Sequence, residues 1–128
     1  MAHATARLGT VNYAVALTMR HHLLSADEPI ERGGQDAGPT PSEMLCAALA
    51  ACTAITLRMY AQRKEWALRE TQVDVDSRTE GAERTMLRRL RLEGELDSEQ
   101  RARLADIAER TPVTLTLKQG VRITTVLE

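Results

Sequence analysis

An α+β domain is the fold class that this 128-residue sequence predicts, and three observations carry that reading. Apolar residues alternate with polar ones in separate stretches near the start, in the middle and at the end of the chain, the period of half-buried strands. A long capped helical segment interrupts them. Strand and helix signals do not alternate strictly, which argues against a doubly wound parallel sheet. The length fits one domain over residues 1–128, with a core of ordinary size.

From Val11 to Met19, the residues Val11, Tyr13, Val15, Leu17 and Met19 alternate with Asn12, Ala14, Ala16 and Thr18, predicting a strand. HHLLSADEPIERGG then reads as one or two short strands around a turn at Asp27 to Pro29. The glycine-rich loop GGQDAGPTP follows, without apolar periodicity. Thr40-Pro41-Ser42-Glu43 fits a capping box with Thr40 at N-cap, Pro41 at the first helical position and Glu43 at N3. Leu45, Leu49, Cys52, Ile55 and Met59 recur at helical steps, giving a helix of about 24 residues, roughly 36 Å long. Its middle, AALAACTA, carries so little side chain that a second backbone, such as another copy of the same helix, could come close.

Two more alternating runs, Thr71 to Thr79 and Met86 to Leu96, flank the polar EGAER and predict a hairpin. Asp97 and Gln100 cap a second helix from Ser98 to Arg110, ended by the proline after Thr111. Val113 to Leu117 reads as a strand or a short helical turn, and the segment after Gly120 as a C-terminal strand.

Aromatic residues make up only 2% of the chain and phenylalanine is absent, so Leu, Val, Ile, Ala and Met must fill the interior. A net charge of -1 gives no electrostatic footprint for nucleic acid or an anionic membrane. No charged lead-in precedes an apolar run at the start, and no segment reads as a bilayer span, so a soluble cytoplasmic protein is expected. The basic run Arg84 to Arg91 alternates with apolar residues and reads as the solvated face of a strand. His21 and His22, as neighbours on a strand, would point to opposite faces, so no metal site is expected, and no cofactor.

Two cysteines remain for chemistry. Within one helix, Cys46 and Cys52 are separated by about 9 Å along the axis and roughly 120° around it. They cannot bridge, because a disulfide needs Cα atoms within about 7 Å. Cys46 is most simply a packing residue. A buried-face cysteine such as Cys52 turns nucleophilic only as thiolate, which needs a cation nearby.

The segments GGQDAGPTPSEMLCAALAACTAITL and IAERTPVTLTLKQGVRI resemble the OsmC/Ohr family of osmotically induced and organic hydroperoxide resistance proteins. The resemblance runs over nearly the whole chain. It implies an intertwined homodimer, with two antiparallel central helices between sheets, and reduction of organic hydroperoxides by a cysteine on that helix. By motif position the attacking cysteine is Cys52. The family's resolving cysteine falls on Thr111, so an external thiol would have to take its part. The resemblance also implies an arginine from the N-terminal strands, for which Arg20 is the candidate, and a glutamate at the helix start. Glu43 is the carboxylate available there, although the family spacing falls one residue earlier, on Ser42, and capping already accounts for it. The alternative reading is a catalytically silent dimer that binds a small apolar ligand or serves a structural role.

Overall fold

The computed structural model describes residues 1–128, which form two compact units, Met1–Leu45 and Cys46–Glu128. The first holds a three-stranded antiparallel sheet in the order β1 (Thr5–Arg7), β2 (Val15–Met19), β3 (His22–Ala26). Leu17 pairs with Ala6 on one side and with Leu24 on the other. Strand β2 begins at Val15 rather than Val11, because the residues before it are drawn into a loop instead of a ladder. The Asn12 carbonyl accepts from the Gln35 side chain at 3.1 Å, and the Tyr13 amide donates to Asp27.

Asp27 organises that loop. Its carboxylate, 2% exposed, accepts backbone N–H groups from Glu28 (2.7 Å), Ala37 (3.1 Å), Tyr13 (3.2 Å) and Gln35 (3.2 Å). Burial alone would raise its pKa, but the four amides outweigh burial and hold it below the ordinary value. Gly34 is required here, since a Cβ would strike the Glu28 carbonyl. The loop includes one 3-10 turn, Ile30–Arg32, and leads into the long helix.

Helix α1 runs Pro41–Lys64, as the capping signals predict. The Thr40 amide donates to Glu43 Oε1 at 2.9 Å and the Glu43 amide donates to Thr40 Oγ1 at 3.1 Å, closing the box in both directions. An 18-residue window of α1 has mean hydropathy 1.6, with 22% of it buried. By length and composition it could cross a membrane, contrary to the expectation from sequence. Its Ala, Cys and Met residues make it apolar all round without making it bulky.

The second unit pairs β4 (Ala67–Glu80) with β5 (Glu83–Glu95) in one long antiparallel hairpin. Its register shifts between Leu68 and Glu70, opposite Gly94, whose φ of 146° no other residue adopts readily. Helix α2 (Ser98–Ala108) follows, with the Asp97–Gln100 capping box in place, then α3 (Pro112–Gln119). Leu57 and Ala61 of α1, Leu68 of β4, and Leu104 and Ala108 of α2 form the core, with Leu90, Leu92, Leu96, Tyr60, Trp66 and Ile107 packed around it. Two of the three aromatic residues meet edge to face here, Tyr60 and Trp66, at 5.6 Å between ring centroids.

Two sequence expectations differ at the C-terminal end. Val113 to Leu117 is helical, because Thr111 caps it and Pro112 occupies its first turn. The segment 121–128 forms no strand within the chain, although its pattern is that of one. A strand needs a ladder partner, and none meets it here. Val121, Ile123, Val126 and Leu127 are between 65% and 97% exposed as a result.

Two stability predictions follow from these contacts. Leu57→Ala, at a fully buried position, lowers unfolding free energy by about 2–5 kcal/mol in chemical denaturation. Asp27 is depressed by folding, so its stabilisation is complete above an unfolded value of about 3.9 and is lost as pH falls through the folded value. Asp27→Asn therefore lowers the melting temperature at neutral pH and flattens its decline below pH of about 5, as read by thermal melts across an acid series.

Candidate functional site

Period-2 patterning in β5 gives one row Met86, Arg88, Leu90 and Leu92, the row turned toward α1 and the core. Arg88 shares the phase of the leucines rather than that of Arg89 and Arg91, so it is not part of the solvated face on which the sequence reading put it. Its side chain is 11% exposed. Arg89 does lie outward, pairing with Asp76 at 2.6 Å.

The buried guanidinium reaches three side chains. Nη1 donates to Thr53 Oγ1 and to Thr114 Oγ1, both at 2.9 Å, and Nη2 donates to Glu109 Oε2 at 3.0 Å. Thr53 and Thr111 are fully buried and Thr114 is 4% exposed. Thr111 Oγ1 accepts the Thr114 amide at 3.2 Å as the N-cap of α3, and the two hydroxyls lie 2.7 Å apart. The other carboxylate oxygen of Glu109 accepts from Lys118 at 2.8 Å. That bond first, and the bond from Arg88 after it, hold the Glu109 carboxyl below its usual pKa against the opposing effect of burial.

Thr53 belongs to the buried stripe Leu49, Thr53, Leu57, Ala61 of α1, and Cys52 is its neighbour. Cys52 is a free thiol, half-buried, and so is Cys46. Thr111 is therefore a buried capping hydroxyl in a polar cluster that reaches Thr53, the residue beside Cys52. This cluster was missed from sequence because Arg88 sits in a basic run. Its phase with Leu90 and Leu92 was the signal available.

Arg20 lies in the Met1–Leu45 unit, in the two-residue turn of the β2–β3 hairpin, with φ of 55°. Its guanidinium donates to His22 Nε2 at 3.4 Å. His21 occupies the same turn rather than a strand, so its ring lies beside that of His22, 4.1 Å between centroids, instead of on the opposite face. No group of three or more His, Cys, Asp or Glu side chains is arranged to hold a metal ion. Glu43 is engaged by Thr40, whose amide bond first and hydroxyl bond second lower its pKa.

A groove of about 520 Å³ opens along the other side of α1. Ala54, Ile55, Met59 and Leu68 give it apolar walls, with Arg58 and Arg69 among its polar groups. Arg58 donates to the Leu68 carbonyl and so ties α1 to β4.

Residues 33–126 match the family model described as OsmC-like protein. The chain belongs to the OsmC-like family. No curated protein sequence matches it. Among solved structures it is similar to the OsmC-like protein of Mycoplasma pneumoniae, with 16% identity, a TM-score of 0.78 and coverage of 92% of this chain and 87% of that one. It is also similar to an organic hydroperoxide resistance protein OsmC from Legionella pneumophila, with 22% identity, a TM-score of 0.67 and coverage of 92% and 89%. The organic hydroperoxide resistance protein OhrB of Bacillus subtilis is a third, with 22% identity, a TM-score of 0.61 and coverage of 91% and 90%. At these identities the likeness gives this OsmC-like chain its α+β fold.

Thr111→Val removes both the cap of α3 and a hydroxyl of the buried cluster. It costs about 0.5–2 kcal/mol of unfolding free energy, the range for losing an N-cap side chain, as read from urea denaturation midpoints.

Proposed function

We propose that this OsmC-like protein is a thiol-dependent reductase of organic hydroperoxides with Cys52 as nucleophile. The observation that carries the reading is a free, half-buried thiol on the central helix, Cys52, at the position that the resemblance assigns to the attacking cysteine. The naming of structural relatives as organic hydroperoxide resistance proteins supports it. The Cys52 thiolate attacks the peroxide ROOH at the oxygen distal to R. The O–O bond breaks, the alkoxide takes up a proton and leaves as ROH, and sulfur is oxidised to sulfenic acid. Arg20 is assigned the holding of thiolate and peroxide, on the family resemblance alone. Glu43 is assigned to capping.

Resolution in this reading comes from outside the chain. Thr111 has no sulfur, and its hydroxyl is committed to α3 and Thr114. A small thiol displaces water from the sulfenic acid to give a mixed disulfide. A second thiol then frees Cys52 and leaves as the oxidised disulfide.

The working unit in this proposal is a homodimer. Helix α1 averages hydropathy 1.6 over a window that is only 22% buried. Ile55 and Met59 stand 54% and 59% exposed on successive turns, beside the small residues Ala47, Ala48 and Ala51. A second copy of α1 would cover this surface and allow close helix approach. The exposed apolar segment after Gly120 supports the same assembly.

The threonine at position 111 favours a second reading, a dimer without turnover that holds a small apolar ligand or serves a structural role. One pair of measurements separates the two. Brief exposure to cumene hydroperoxide is expected to give sulfenic acid at Cys52, trapped by dimedone and located by mass spectrometry. Steady hydroperoxide consumption with a dithiol is expected to fall to the buffer rate in Cys52→Ser. A folded protein that gives neither adduct nor consumption overturns the reductase reading, as the second reading expects.

A further inference from the structure

The hydroxyls around Arg88 each have a partner besides its guanidinium. Thr53 donates to the Leu49 carbonyl at 2.7 Å, so its oxygen accepts from Arg88. Thr114 Oγ1 lies 3.2 Å from the Ala108 carbonyl, to which it can donate, and 2.7 Å from the Thr111 hydroxyl. Both Nη1 protons are then used, one on α1 and one on α3. A planar fork with both donors satisfied fixes direction as well as distance, unlike a lysine ammonium.

We propose that Arg88 is a positioning residue for Cys52, acting through Thr53. This rests on the reading of Cys52 as the nucleophile. Fixing the Thr53 side chain fixes the rotation of the α1 turn that carries both residues, since neighbours on a helix are set about 100° apart. The same nitrogen holds Thr114, so the thiol-bearing turn and the first turn of α3 are held by one group. Glu109 and Lys118 complete the ring of charges from the far side.

The test compares alkylation of the two thiols by iodoacetamide, without peroxide, with each site quantified by mass spectrometry. Cys46 lies on the same helix, is also half-buried and free, and acts as the internal reference. Thr53→Val keeps the shape but removes the acceptor, and Thr53→Ser keeps the acceptor. The Cys52-to-Cys46 rate ratio is expected to rise about 10- to 100-fold in Thr53→Val and in Arg88→Lys, as the turn that carries Cys52 loses the restraint of a hydrogen bond to a charged group. It stays at the parent value in Thr53→Ser. An unchanged or lowered ratio in Thr53→Val, or a rise in both thiols together as from general loosening, overturns the proposal. Hydroperoxide turnover is read separately. A changed ratio in a protein without turnover removes the peroxidase reading and leaves the positioning role; an unchanged ratio with Cys52-dependent turnover does the reverse.

Discussion

One guanidinium carries the polar half of the second unit. Arg88 enters from β5 among leucines, where an unpaired charge would be costly, and its bonds to Thr53, Thr114 and Glu109 recruit α1, α3 and the end of α2. The apolar half, Leu57, Ala61, Leu68, Leu104 and Ala108, joins α1, β4 and α2 but takes no residue from α3. The eight residues of α3 are too few to be stable as an isolated helix. The last helix therefore depends on the hydroxyl and guanidinium contacts at its first turn.

That dependence explains how the chain manages with so few rings. The fully buried apolar side chains are leucines and alanines, which fill small volumes, and Tyr60 and Trp66 pack against them. Thr53, Thr111 and Thr114 add buried hydroxyls around Arg88. A buried polar network of this kind stabilises only when every member is satisfied, and here each hydroxyl is.

Local signals in the sequence were reliable wherever short-range chemistry decides the outcome. Thr40 with Glu43, and Asp97 with Gln100, mark their helix starts because both partners of each box lie within one turn. Partners far apart in sequence were not legible. Val11 and Tyr13 alternate like a strand, yet Asp27, fourteen residues after Tyr13, takes the Tyr13 amide. Arg88 reads as solvated until its hydroxyl partners, 35 and 26 residues away, are known. The strand pattern after Gly120 is real in composition, but composition alone supplies no ladder. Of the candidate site, the position of Cys52 and the lack of a thiol at residue 111 were legible; the cluster that occupies the latter position was not.

The Asp27 loop divides its informational demands unevenly. Tyr13, Glu28, Gln35 and Ala37 offer the carboxylate only their main-chain N–H groups, which every amino acid but proline possesses. For this contact their side chains are free to drift, while the geometry rests on one acidic side chain and on a glycine at position 34 that a Cβ would displace. A segment built this way can lose nearly all likeness to its relatives in letters and still trace the same path into α1.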